Sequence, residues 1–90
     1  MRISEFEWDD GNVLHFELGH GIEPEEVEEV FVHKPLFLKT KKGHYVAFGQ
    51  TGAGRYLVVI FEKKPKGIVR LITGWDMNRS EVQYYKKHRR

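Results

Sequence analysis

Apolar positions in the first third of the chain recur at helical spacing. A carboxylate at Asp9 or Asp10 can cap a first helix, because it accepts hydrogen bonds from free backbone N–H groups. Gly19-His20-Gly21 ends this helix, whose apolar positions are Val13, Leu14 and Leu18. Pro24 suits the first turn of a second helix, which ends by Pro35 and has the apolar stripe Val27, Val30 and Phe31. A short strand, Phe6-Glu7-Trp8, is predicted before both helices.

After Pro35 the pattern becomes alternating, which is typical of β-strands. The segments between the alternating runs contain glycine and are too short for crossover helices, so the sequence predicts an antiparallel meander. The third run is apolar on both faces from Tyr56 to Phe61, as in a central strand that is covered on both sides. The four predicted strands are residues 36–40, 44–50, 55–63 and 68–73.

A third helix is predicted at the end of the sequence. Asn78 and Glu81 have the spacing of a capping box. The predicted fold class is therefore α+β, with two N-terminal helices, a four-stranded antiparallel meander, a short additional N-terminal strand and a C-terminal helix. Ninety residues without repeats or linker-like composition predict a single domain over residues 1–90.

Composition excludes several classes of protein. The chain has no cysteine, which excludes a disulfide framework, a thiol nucleophile and an iron–sulfur cluster. Its longest apolar run is far shorter than the roughly 20 residues of a membrane span. The N-terminus does not resemble a signal peptide, which needs a basic region followed by an apolar one. We therefore expect a cytoplasmic protein with no membrane partner.

Charge is divided unevenly along the chain. Residues 1–33 contain ten acidic residues and one basic residue, whereas residues 34–90 contain fourteen basic residues and three acidic ones. The basic part suits a polyanion or an acidic protein as partner. The acidic helices could also lie near the basic sheet and attract it within the molecule, and the two interpretations are compatible.

Few residues have the spacing of a known chemical site. The five histidines lack metal-ligand spacing such as His-Glu-x-x-His, so no metal or other cofactor is predicted. His20 stands between two glycines, where its ring could reach a cleft, although a helix C-cap is the simpler role. The glycines of residues 49–54 indicate a hairpin rather than a phosphate loop, because neither a Gly-Lys-Ser/Thr ending nor a helix follows them.

Basic and aromatic residues alternate near the C-terminus. Arginine and lysine bind phosphates, and tyrosine can stack on unpaired bases, so this pattern is typical of RNA binding. Together with Arg55 and Arg70 on adjacent strands, these residues predict one positive surface that the acidic helices leave uncovered. A frayed, solvated terminus is the alternative interpretation. The C-terminal group consists of Arg79, Tyr84, Tyr85, Lys86, Lys87, His88, Arg89 and Arg90.

The order of several short segments resembles the BrnT-type toxins, small members of the RelE-like group of type II toxin–antitoxin systems. The first segments are Phe6-Glu7-Trp8-Asp9, His20-Gly21-Ile22, Glu25-Glu26, Val30-Phe31 and Pro35. The resemblance continues through residues 45–51, Gly54-Arg55, Leu57-Val58-Val59, Ile72-Thr73, Arg79-Ser80-Glu81 and Tyr84-Tyr85, and covers nearly the whole chain.

This resemblance implies a RelE-like fold and a metal-independent endoribonuclease that inhibits translation by cutting RNA. It also implies a cognate DNA-binding antitoxin as partner, and a homodimer is a further candidate assembly. The candidate catalytic residues are His20, Arg79 and Tyr84. The candidate ligands of RNA phosphates are Arg55, Arg70, Lys86 and Lys87.

Two positions depart from the family pattern. A lysine usually precedes the His-Gly pair, where this chain has Gly19, and two arginines usually end the last strand, where it has Trp75-Asp76. Each missing cation could have stabilised charge that develops on the phosphate. The second hypothesis is therefore a catalytically inactive relative that binds RNA or a protein partner, with Trp75 in the interface. A metabolic enzyme is a third hypothesis, without a recognisable cofactor motif.

Overall fold

Residues 2–40 and 42–89 are described by a computed structural model. Met1, Lys41 and Arg90 lie outside the described residues. The predicted C-terminal group is therefore described only as far as Arg89. The helices are α1 (Asp10–His20), α2 (Pro24–Val30) and α3 (Arg79–His88). The strands are β1 (Glu5–Glu7), β2 (Leu36–Lys39), β3 (Tyr45–Gln50), β4 (Tyr56–Lys64) and β5 (Ile68–Asp76). Within the described residues, no helix is long and apolar enough to cross a membrane.

The α+β class is confirmed, but the sheet is five-stranded and mixed rather than four-stranded and antiparallel. Strands β2 to β5 pair antiparallel in sequence order, and β1 adds to the free edge of β5 in parallel. A register shift opposite Ile60 and Phe61 leaves Ile72 without a partner across the ladder. The ladder resumes beyond this bulge, so β5 extends to Asp76 instead of ending at Thr73.

Side-chain hydrogen bonds fix where the helices begin. Asp9 and Asn12 cap α1 reciprocally, at 2.8 and 2.9 Å. The predicted capping box of Asn78 and Glu81 is confirmed at the start of α3, also at 2.8 and 2.9 Å. Helix α2 is shorter than predicted and ends at Val30, ahead of Pro35.

Helices α1 and α2 cover one face of the sheet, and α3 packs on the other. The core between α1, α2 and the sheet contains Phe16, Ile22, Val27, Val30, Leu57, Val59, Phe61 and Leu71, all fully buried. Successive side chains of a strand point to opposite faces, so Val58 and Phe48 lie on the side of α3. There the Phe48 ring lies 5.5 Å from the Tyr84 ring, and Tyr85 is buried. Strand β4 is thus covered on both faces near its N-terminal end, as its apolar pattern predicts.

Gly74 allows α1 to approach the sheet closely. A Cβ atom at this position would lie 2.7 Å from Cε1 of Phe16 and 2.8 Å from the carbonyl oxygen of Val58. We expect Gly74→Ala to lower the free energy of unfolding by about 1–3 kcal/mol, because a packed core and backbone must shift. Gly19→Ala is the matched control. It adds a methyl group where nothing lies within 4 Å, and we expect it to raise stability by about 0.5–1 kcal/mol in a helix. Equal effects in urea denaturation would contradict this explanation.

Candidate functional site

His20 is the last residue of α1, and the backbone fixes it there. Gly21 follows in the left-handed conformation, with φ of 63°, and its N–H returns to the carbonyls of Phe16 and Glu17. Glycine adopts this conformation without the steric cost of a side chain. His20 is half-buried. The helix C-cap is therefore Gly21, and His20 is the residue before the cap rather than the cap itself.

A second imidazole lies beside that of His20. The ring centroids of His15 and His20 are 5.2 Å apart, with an angle of 68° between their planes. Nε2 of His15 lies 2.8 Å from Oγ1 of Thr73 on β5. His15 is not among the site residues predicted from the sequence, because its spacing from the other histidines does not match the His-Glu-x-x-His pattern of metal sites. Two histidines five residues apart near a helix end are the only signal that could have indicated it.

Arg55 connects three elements next to the end of α1, where its Nη2 atom lies 3.5 Å from the carbonyl oxygen of His20. Its Nε and Nη2 atoms donate to the two carboxylate oxygens of Asp76 at 2.7 and 2.9 Å. Its Nη1 atom donates to the carbonyl oxygen of Gly21 at 2.9 Å and to Glu26 at 3.1 Å. Arg55 therefore joins the end of α1, the first turn of α2 and the end of β5. We call Arg55, Glu26 and Asp76 the arginine clasp.

Electrostatics reinforce the arginine clasp. Hydrogen bonds to Asp76 and then to Glu26 raise the pKa of Arg55. The Arg55 hydrogen bonds are the largest cause that lowers the pKa of Asp76, and the charge of His20 lowers it further. Asp76 is thus ionised at neutral pH and lies within electrostatic reach of His20. The positive charge of Arg55 is compensated by two carboxylates of its own chain.

Arg70 belongs to a separate cluster. Its Nη1 atom lies 3.1 Å from a carboxylate oxygen of Glu7 and 2.8 Å from one of Asp9, and Lys64 also binds Glu7, at 2.9 Å. Arg70 and Asp76 are six residues apart on β5, or about 20 Å. The expected single surface of free cations is corrected accordingly: Arg55 and Arg70 lie in two carboxylate clusters at different ends of β5. Glu7 and Asp9 of the acidic N-terminal part neutralise Arg70, whereas Glu26 of that part and Asp76 of β5 together neutralise Arg55.

The remaining predicted site residues lie on α3. Arg79 is its exposed first residue, three positions after Asp76, and so lies near the arginine clasp. Tyr84 lies on the opposite face of the sheet from His20, where its ring contacts Phe48 and His88. Lys86 places its ammonium group 5.5 Å from the ring centroid of Tyr56, and Lys87 is exposed. The structure therefore brings His20 close to Asp76 and Arg55 but separates it from Tyr84.

Trp75 has an intramolecular partner in this region. Its indole Nε1 atom donates to Oε1 of Glu81 at 3.3 Å, and the side chain is half-buried. Trp75 therefore ties the end of β5 to the first turn of α3. Among residues 2–40 and 42–89, no group of three or more histidine, aspartate or glutamate side chains converges as a metal site.

Comparison with known proteins gives a structural match but no match in sequence. No known family profile and no curated protein sequence matches the chain. The structure is similar to the crystal structure of the Brucella abortus ribonuclease toxin BrnT, with a TM-score of 0.70 and 17% sequence identity. The similarity covers 83% of this chain and 97% of that chain. The chain has the BrnT fold. The resemblance predicted from the sequence is confirmed at the level of the fold.

The acidic and basic parts of the sequence form different elements of the fold. The acidic part supplies β1, α1 and α2, and the basic part supplies the antiparallel strands and α3. Arg55–Glu26 and Arg70–Asp9 are ion pairs between the two parts. The intramolecular interpretation of the charge division is therefore confirmed at these two contacts.

The Arg70 cluster predicts a pH dependence of stability. Hydrogen bonds from Lys64 and Arg70 lower the pKa of Glu7 below its ordinary 4.5, and the Asn12 backbone and Arg70 lower that of Asp9 below its ordinary 3.8. Lowered pKa values mean that the ionised carboxylates stabilise the folded state above those ordinary values. This stabilisation is lost as the pH falls through the lowered pKa values that Glu7 and Asp9 have in the folded protein. We expect Arg70→Met to reduce the loss of thermal stability on acidification below about pH 4.5. An unchanged slope in this range would contradict the assignment.

Proposed function

We propose that this protein is the toxin of a type II toxin–antitoxin system, a RelE-like endoribonuclease that inhibits translation by cutting RNA. The observation that supports this proposal is the BrnT fold, matched over nearly the whole length of a ribonuclease toxin. The placement of His20 at an accessible helix end, within reach of the Asp76 charge, supports it independently. A cognate DNA-binding antitoxin is the proposed protein partner.

The proposed chemistry is metal-independent cleavage of a phosphodiester. A base removes the proton of the ribose 2′-OH, the 2′-oxygen attacks phosphorus, and the bond to the 5′-oxygen breaks as an acid protonates it. His20 is the proposed base, because an imidazole can exchange protons near neutral pH and this ring lies at a half-buried helix end beside the arginine clasp. Arg79 is the proposed ligand of the phosphate, since its side chain is exposed near the clasp.

The four predicted ligands of RNA phosphates differ in whether their charges are already paired within the protein. They are Arg55, Arg70, Lys86 and Lys87. The guanidinium groups of Arg55 and Arg70 are already bound to carboxylates, so we assign them positioning roles. Lys86 and Lys87 lie on exposed turns of α3, together with Tyr84, and could contact RNA some distance from the cleaved bond. Tyr84 is proposed to stack on a base rather than to transfer a proton, because it lies across the sheet from His20.

The test combines growth and RNA cleavage. We expect expression of the protein to arrest growth, the purified protein to cleave RNA with or without ribosomes, and Arg79→Ala to relieve both effects. Arg2→Ala is a matched control, because Arg2 is also an exposed arginine but lies at the other end of the fold. A harmless wild-type protein that leaves RNA intact under both conditions would refute the ribonuclease proposal.

One observation favours a second candidate, a catalytically inactive relative that binds RNA or a protein. Asp76 stands where the family usually has an arginine, and it neutralises Arg55. RNA binding that weakens with salt, without cleavage, would support this candidate. If the protein has no affinity for RNA at low salt, only the version of this candidate that binds a protein partner remains.

A further inference from the structure

His15 is an exposed histidine with a defined position. Its Nε2 atom is held 2.8 Å from Oγ1 of Thr73, and its ring meets that of His20 edge to face. Thr73 follows the β5 bulge at Ile72, which changes the direction of the side chains beyond it. This contact joins α1 to β5 and fixes the place of the His15 ring.

The two imidazoles together meet the requirements of RNA transesterification. The reaction needs one group that accepts a proton from the 2′-oxygen and another that donates a proton to the 5′-oxygen. Histidine is the side chain that performs both tasks near neutral pH. The rings are 5.2 Å apart, and both are accessible, so a single phosphodiester can contact both.

We propose that His15 is a catalytic residue, the general acid that protonates the leaving 5′-oxygen of RNA, and that His20 is its partner base. This inference rests on the proposed ribonuclease function. In the step, the 2′-oxygen loses its proton to His20 and forms a bond to phosphorus. The bond between phosphorus and the 5′-oxygen breaks, and the 5′-oxygen receives its proton from His15. The products are a 2′,3′-cyclic phosphate and a 5′-hydroxyl group.

The surroundings of the two rings indicate which histidine is the base and which is the acid. His20 lies next to Asp76, because Arg55 Nη2 is 3.5 Å from the His20 carbonyl oxygen and 2.9 Å from a carboxylate oxygen of Asp76, and we assign the role of base to this ring. Nε2 of His15 lies beside the hydroxyl group of Thr73. When the His15 ring is protonated, this hydroxyl oxygen can accept a hydrogen bond from Nε2–H, and the proton on Nδ1 remains for donation to the substrate. Thr73 therefore acts as a positioning residue that orients His15 toward the leaving group.

The decisive experiment compares two RNA substrates with His15→Gln. One substrate has an ordinary phosphodiester, and the other has sulfur in place of the bridging 5′-oxygen at the cleaved bond. A thiolate leaves without protonation, so loss of the acid affects the ordinary substrate alone. We expect His15→Gln to cleave the ordinary RNA about 10²–10⁴-fold more slowly than wild type. On the sulfur-containing RNA we expect it to be within about tenfold of wild type.

Two controls separate the outcomes. His20→Gln should be slow on both substrates, because the base is still required, and His33→Gln should match wild type on both, because His33 lies away from the site on an exposed turn. Equal slowing of His15→Gln on both substrates, or no slowing at all, would overturn the role of His15 while leaving the ribonuclease function intact. A wild-type protein that cleaves neither substrate would instead refute the proposed function. Thermal melting of each variant shows whether it is folded.

Discussion

Replacement of His20 by glutamine is expected to slow RNA cleavage by about 10²–10⁴-fold, the usual contribution of a general base. Glutamine keeps a polar side chain at the helix end but cannot take up a proton. The cap at Gly21 depends on backbone hydrogen bonds, so the fold should be retained. The measurement is the initial rate of cleavage of a short oligonucleotide, together with the melting temperature.

His44→Gln is a suitable control for this measurement. His44 precedes β3, at the end of that strand remote from the arginine clasp. We expect its cleavage rate to equal that of wild type. If His20→Gln retains the full rate while wild type is active, His20 is not the base, and proton transfer must be assigned to another group.

Replacement of Arg55 by methionine is expected to cause the second large effect. It removes the hydrogen bonds that join α1, α2 and β5 and leaves Glu26 and Asp76 without their cation. The Arg55 side chain is 29% exposed and that of Asp76 is 57% exposed, so solvent screens part of the cost. We expect the free energy of unfolding to fall by about 2–3 kcal/mol. We also expect slower RNA cleavage, because Gly21 and with it His20 lose a fixed position.

Two further variants test the explanation. Arg55→Lys retains the charge but cannot bind Asp76 with two parallel hydrogen bonds, so its stability should be intermediate. In a double-mutant cycle, Arg55→Met and Asp76→Asn should show a coupling energy, since the two side chains are in direct contact. Additive effects in urea denaturation would mean that the arginine clasp contributes little to stability.

Local sequence signals were sufficient to predict most of the fold. Alternation of apolar residues indicated the strands from Leu36 onward, and the spacing of Asn78 and Glu81 indicated the start of α3. The pairing of β1 could not be predicted, because three residues carry no signal for a partner that lies at the other end of the chain. The bulge at Ile72 was missed for a similar reason, since its position depends on how β5 pairs with β4.

The candidate site was less predictable than the fold. The place of His20 between two glycines marks it in the sequence, whereas no local feature marks His15. The role of Arg55 depends on Glu26 and Asp76, which are 29 and 21 residues away in the sequence. A list of cations by position cannot show which of them have carboxylate partners, because ion pairing is decided by the tertiary structure.

The order in which these contacts can form has a consequence for protein synthesis. His15 and Thr73 are 58 residues apart, and Glu7 and Arg70 are 63 residues apart. Closing such long loops costs chain entropy, and contacts of this kind form late in folding. A nascent chain on the ribosome therefore contains the sequence of its first helix long before it contains the strand on which this helix packs. The imidazole pair receives its support only when β5 has left the ribosome, so an incomplete product of translation would carry no assembled site.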